Sequence, residues 1–191
     1  MRLKYNAPVV LTFTFLCAAV LILSQTALKD LNRAWFMVPG RGGFHAGDFR
    51  SWVTVLTHVM GHASWTHLLS NFSFILLIGP ILEENYGSPA LLLMMAVTAL
   101  VTGLINAFLF RAGLMGASGV AFMMILLISF TNFSREEIPL TFILVLVLYL
   151  GRELVNSFSS NNVSEFAHIA GGFCGCLFGF LRPVKKIKKG R

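Results

Sequence analysis

LLLMMAVTALVTGLINAFLF, residues 91–110, holds no charged residue. Crossing the hydrocarbon core of a bilayer takes about 20 apolar residues in a helix. A helix also satisfies its own backbone hydrogen bonds, which lipid cannot do for it. The stretch therefore predicts a transmembrane helix over 89–110. Working outward, five further apolar stretches predict helices over about 7–25, 61–83, 114–131, 138–157 and 165–183. The fifth in chain order ends at Arg152-Glu153, at an interface. No internal repeat is evident, so a transporter built from repeats finds little support.

Composition agrees with this reading. Of 191 residues, 56% are hydrophobic and 12% charged, with a mean hydropathy of +0.76. A soluble domain carries about twice that charged fraction. Eighteen Phe and eight Met suit lipid-facing and interhelical packing. The expected fold class is an all-α membrane protein, 1–191 forming a single membrane domain.

The net charge of +7 invites a nucleic-acid reading, but its placement argues against one. The dense basic run is Lys185-Lys186-Ile187-Lys188-Lys189, directly after an apolar segment. Such a tail sets topology and touches anionic lipid. With six spans and both termini inside, nine Lys and Arg lie inside and six outside, which favours cytoplasmic termini. Arg2 and Lys4 before an apolar run resemble a signal peptide, but the run is long and lacks a clear cleavage site. It is read as a retained first helix. Cys17, Cys174 and Cys176 lie inside apolar segments, are odd in number and read as small packing residues.

Residues 26–60 form a long outer loop with Trp35, Phe36, Met37, Val38 and Trp52 among Gly and Arg. A long loop of this kind is usually functional. Its aromatics suggest an interfacial position.

Ionisable and polar groups inside spans are costly and mark function by default. Here they are His58, His62, His67, Asn71, Ser118 and His168. In the six-span topology, helices two, four and six run in the same direction. His67 and Asn71, Ser118, and His168 then share a depth in the outer half of the membrane. Ser118 sits in Gly116-Ala117-Ser118-Gly119. Small neighbours allow close approach, and a helix start offers unpaired N–H groups for an oxyanion. The alternative is a hydroxyl bonded to its own helix.

His168 lies one turn before Gly171, and Gly171 and Gly175 form a GxxxG face for tight helix packing. If the partner is helix four, His168 approaches Ser118 and can act as its general base. The alternative is a structural histidine capping a loop. Glu165 either orients His168 or, with Asn162 as N-cap, serves only the cap. His67 and Asn71 are a turn apart on one face, and both can donate to an oxyanion. His58, His62 and His67 raise a metal site, but no HExxH is present and no carboxylate lies among them. No metal or cofactor is expected.

Taken in order, these residues resemble a known family. The pattern is His62, His67-x-x-x-Asn71, Gly79-x-x-x-Glu83 with Gly87-Ser88, Gly116-Ala117-Ser118-Gly119, and His168-x-x-Gly171-x-x-x-Gly175. It resembles the rhomboid intramembrane serine proteases, most closely the minimal bacterial six-helix GlpG type, over nearly the whole chain. The resemblance implies a Ser118–His168 dyad without a required acid. It implies an oxyanion hole of the Ser118 backbone N–H, His67 and Asn71, with Gly116, Gly119, Phe122, His62, Gly171 and Gly175 in support. Helix five and the loop before His168 would gate substrate entry, and the 26–60 loop would lie partly in the membrane. Glu83 would tie the inner end of helix two to the turn near Ser88.

Two features depart from the family. Phe122 stands where many relatives have Tyr packed on the catalytic His, so the ring can stack but its hydroxyl is gone. The Trp-Arg pair of the first loop is replaced by Arg50-Ser51-Trp52-Val53.

The expected function is an endopeptidase cleaving transmembrane or juxtamembrane segments of membrane proteins, multi-pass in the bacterial inner membrane. Its partners would be transmembrane substrates and the lipid bilayer, not nucleic acid. The alternatives are an inactive rhomboid-like binder of membrane clients and a small channel or transporter using the histidines as a proton path.

Overall fold

The computed structural model of the chain describes residues 3–132, 139–151 and 163–181. Regular structure among them is helical, apart from one isolated antiparallel bridge between Val38 and Leu114. Eight α-helices follow in order: α1 Pro8–Gln25, α2 Leu31–Trp35, α3 Phe49–Thr57, α4 Trp65–Tyr86, α5 Ser88–Leu109, α6 Ser118–Ile128, α7 Leu140–Leu146 and α8 Val163–Leu181. Three of them, α1, α4 and α5, are long and apolar enough to cross a membrane by length and composition. Leu77, Leu92 and Leu93 on α4 and α5 are each more than half exposed. Those side chains are costly in water and at home against lipid. The chain is a multi-pass membrane protein.

α6 forms the centre. Val120, Met123, Met124, Leu126 and Leu127 are fully buried, and the helix packs most extensively on α8 and then on α4. Gly171 and Gly175 explain the closeness to α8. A methyl group at Gly171 would collide with the Gly119 carbonyl, and one at Gly175 with the Met123 carbonyl. The GxxxG face is thus pressed against the backbone of the serine-bearing helix, as expected if helix four is its partner.

α1 is built into the same core through Val10, Cys17 and Leu21. Its start is secured from another helix. Ala7, at the N-cap, offers no capping side chain. Instead the Glu83 carboxylate of α4 accepts Val9 N–H at 3.0 Å and Val10 N–H at 3.1 Å, and the Ser88 hydroxyl at 2.7 Å. The expected tie to Ser88 is present, and the clamp on α1 is an addition to it. Cys17, Cys174 and Cys176 are free thiols.

Several boundaries differ from expectation. The second span, expected over 61–83, begins at Trp65 and runs to Tyr86. Its start is set by Ser64, whose hydroxyl accepts the His67 N–H at 3.1 Å. His62 therefore lies before the helix, and His58 opens a 3₁₀ turn, His58–Met60. The fourth span, expected over 114–131, starts only at Ser118 and passes at Ser129 into a second 3₁₀ turn ending at Asn132. The 26–60 loop contains α2 and α3. Of the expected 138–157 helix, α7 and a π-helical turn, Val147–Gly151, are described. Arg152, Glu153, Asn162 and the basic tail lie outside the described residues.

Candidate active site

The site is built where α6 begins. Eleven residues at about 1.5 Å each and the four of the following 3₁₀ turn at about 2 Å each make the run from Ser118 to Asn132 roughly 24 Å long, short of a hydrocarbon core of about 30 Å. The segment 111–117 before it is not helical and leaves open space above Ser118. Gly116 N–H donates to the His58 carbonyl at 2.9 Å, and Val38 and Leu114 exchange two backbone bonds of 3.0 Å. These bonds hold the segment to the outer loop. Gly116 has φ +129°, a region L side chains rarely adopt. A methyl group there would also lie 2.7 Å from His67 Nε2. The backbone conformation calls for glycine at this position, and His67 is the side chain that a methyl group would displace.

A cavity of about 430 Å³ opens there, lined by Ala63, His67, Asn71, Gly113, Leu114, Met115, Ser118 and His168. The structure thus brings four sequence-predicted residues to one space, from α4, α6 and α8. The helices that carry Ser118 and His168 touch beside them. A methyl group at Gly119 would lie 3.3 Å from the Ala167 carbonyl. As the first residue of α6, Ser118 has no intrahelical acceptor for its N–H. The Phe122 ring lies parallel to the His168 ring, with centroids 4.3 Å apart and planes 3° apart. Phe122 thus stacks on His168, with no hydroxyl to offer.

His67 and Asn71 are oriented from behind. Asn71 is buried, and its amide nitrogen lies 3.1 Å from His62 Nε2. His62 Nδ1 is 3.3 Å from the Met60 carbonyl. That carbonyl can only accept, so Nδ1 carries the proton and Nε2 accepts from the Asn71 amide. This assignment points the NH₂ end of Asn71 at His62, with its nitrogen 3.8 Å from where a methyl group on Gly116 would sit. Ala63 N–H makes a long 3.5 Å contact to His67 Nδ1, which leaves Nε2 as the protonated nitrogen of His67. Two N–H donors thus belong to the cavity wall. Glu165 Oε2 is buried and finds no partner among the described residues.

His58 takes no part in this cavity. It is 1% exposed, with Nδ1 2.9 Å from the Val55 carbonyl and Nε2 3.3 Å from Thr102 Oγ1. Burial pushes its pKa down from the ordinary histidine value to about 4, so the imidazole is neutral. Thr102 belongs to a buried polar row, Thr98, Thr102 and Asn106, along α5. Sequence reasoning missed that row. Its signal was present: three polar residues at four-residue spacing in an otherwise apolar helix share one face.

A family model described as "Rhomboid domain" matches residues 50–184, well over half of the chain. The chain belongs to the rhomboid family. It is 22% identical over 182 residues to "Rhomboid protease GlpG" of Haemophilus influenzae, covering 94% of this chain and 93% of that one. It is 30% identical over 142 residues to "Putative rhomboid protease YdcA" of Bacillus subtilis, covering 72% and 71%. The plant "Rhomboid-like protein 11, chloroplastic" of Arabidopsis thaliana is 26% identical over 134 residues, which is 69% of this chain and 45% of that one. Rhomboid membership fits a membrane-embedded protease, and the family span includes every residue of the cavity.

Proposed function

We propose that this rhomboid is an active intramembrane serine endopeptidase that cleaves transmembrane or juxtamembrane segments of membrane proteins. The observation that carries the reading is the shared cavity: a hydroxyl, an imidazole and two side-chain N–H donors line one space of about 430 Å³ beside a helix start. Ser118 Oγ attacks the peptide carbonyl carbon while His168 takes its proton. Negative charge grows on the carbonyl oxygen, and the Ser118 N–H, His67 and Asn71 receive it. Each such donor is worth about 3 kcal/mol of barrier. His168 then returns the proton to the leaving amine, and an acyl-serine remains. Water, deprotonated by His168, hydrolyses that ester and restores the hydroxyl. Phe122 holds the imidazole plane throughout.

The late start of α6, at Ser118, supports this chemistry in a bilayer. It sets the nucleophile below the end of the neighbouring spans while the non-helical segment 111–117 keeps a space above it for water. We read the topology as six spans with both termini in the cytoplasm, in a bacterial inner membrane. The supporting count is nine inner against six outer Lys and Arg.

The test is covalent labelling with a serine-directed fluorophosphonate together with cleavage of a transmembrane reporter. Wild type should label and cleave. Ser118→Ala should do neither, and His168→Ala should lose labelling while keeping its fold. Cleavage that persists in Ser118→Ala sinks the proposal. Equal labelling of His168→Ala and wild type removes His168 as the base. A wild type that binds the reporter without cutting it points to an inactive client binder.

A further inference from the structure

A second cavity, of about 550 Å³, lies between α2 and α3 and is separate from the active site. Asp30, Arg33, Asp48 and Arg50 line it, together with Ser51 and Thr54. Two carboxylates and two guanidiniums around one space are unusual in a chain with 12% charged residues. Their local duties do not exhaust them. Asp30 precedes α2 but makes no capping bond to it. Arg33 is exposed, and no ion pair joins it to Asp30 among the described residues. Asp48 caps α3, accepting Arg50 N–H at 3.0 Å on one oxygen and the Ser51 hydroxyl at 3.3 Å on the other, and each oxygen keeps a second lone pair. Arg50 bonds the Ala34 carbonyl through Nε, and its terminal nitrogens keep their donors.

The surroundings give the depth. Phe49, Trp52 and Leu56 are exposed along one face of α3, and Trp35 is 43% exposed on α2. Exposed tryptophans beside basic residues mark the headgroup level of a bilayer. A polar cavity at that level faces lipid headgroups.

We propose that this cavity binds the headgroup of a phosphoethanolamine lipid, with Arg33 and Arg50 on the phosphate and Asp30 and Asp48 on the ammonium. A planar guanidinium pairs with phosphate oxygens through several donors. A primary ammonium has three N–H donors for the two carboxylates. The carboxylates disfavour a purely anionic headgroup by like-charge repulsion. A quaternary ammonium has no N–H to give them and is instead bound by open aromatic faces. Among the described residues no aromatic side chain lines this cavity.

The test is native mass spectrometry of the delipidated full chain. The probes are phosphatidylethanolamine, phosphatidylglycerol and phosphatidylcholine with identical acyl chains. Phosphatidylethanolamine should be retained about tenfold better than either of the others, the discrimination of one charge-assisted bond. Arg33→Gln should weaken retention of phosphatidylethanolamine and phosphatidylglycerol alike. Asp30→Asn should weaken phosphatidylethanolamine selectively and strengthen phosphatidylglycerol. Both side chains are exposed, so melting curves should overlay wild type and separate headgroup loss from unfolding. Equal retention of the three lipids overturns the proposal. So does preference for phosphatidylglycerol with no response to Asp30→Asn, which means that basic residues attract anionic lipid only.

Discussion

Glu83 should be worth more to this rhomboid than any exposed charge, and the geometry says by how much. Its carboxylate accepts three hydrogen bonds, from Val9 N–H, Val10 N–H and the Ser88 hydroxyl. The residue itself is 5% exposed. Glu83→Ala removes all three acceptor contacts. Val10 is fully buried, so its N–H is then left unpaired at a cost of about 1–3 kcal/mol. Val9 is half-buried and recovers part of its loss through water. The sum is about 2–4 kcal/mol for Glu83→Ala. Glu83→Gln keeps the size and one oxygen. That oxygen can serve Val9 and Ser88, but the amide NH₂ then faces the Val10 N–H, donor against donor, and the loss falls to about 1–3 kcal/mol. Ser88→Ala should cost no more than Glu83→Gln on its own, and within about 0.5 kcal/mol of nothing in the Glu83→Ala background. Reversible unfolding in mixed micelles measures these differences. Amide exchange at Val9 and Val10 reports whether the start of α1 is the part released. Glu83→Ala within about 0.5 kcal/mol of wild type refutes the clamp. Additive losses for Glu83→Ala and Ser88→Ala refute the shared carboxylate.

Three further outcomes follow from the site. Gly171→Ala drives a methyl group into the Gly119 carbonyl, so it should destabilise by about 1–3 kcal/mol; fluorophosphonate labelling should slow even at temperatures where the fold persists, and unchanged labelling would mean that α6 and α8 have slack. His62→Ala removes the acceptor that orients Asn71 and should lower kcat by about 10- to 100-fold, bounded by the worth of one oxyanion donor; binding of a non-cleaved substrate should hold, and an effect confined to KM counts against the positioning role. Phe122→Ala removes a ring stack worth about 0.5–1.5 kcal/mol and should slow labelling accordingly, while Phe122→Tyr keeps the stack and should retain labelling.

The parts legible in the sequence were those governed by hydropathy and short spacing. The 89–110 span was read to within a residue at each end because its flanks are a Gly-Ser-Pro turn and an arginine. Gly171 and Gly175 announced a close-packed face by their spacing alone. The start of α4 was harder to read. Gly61 to Ser64 hold no Asp, Glu, Lys or Arg to mark a span boundary, yet the Ser64 hydroxyl caps the helix that starts at Trp65. Averaging also hid Thr98, Thr102 and Asn106, whose polarity is diluted by Leu and Val around them. The Glu83–α1 clamp lay beyond local reading, since its partners are 73 and 74 residues away.

The same limit explains why α6 was expected to be longer than it is. Residues 114–117 read as part of an apolar run, but Gly116 at φ +129° cannot continue a right-handed helix. The bonds from Gly116 to the His58 carbonyl and from Leu114 to Val38 then fix the segment across to the outer loop. Shortening the helix has two consequences that hydropathy does not register. It puts the unpaired N–H groups of a helix start inside the protein rather than at its rim, and it leaves the space that His67, Asn71 and His168 line. A glycine outside any helix thus shapes the site as much as the polar side chains do. Replacing Gly116 with alanine should disturb His67 first, since the new methyl group would lie 2.7 Å from its Nε2.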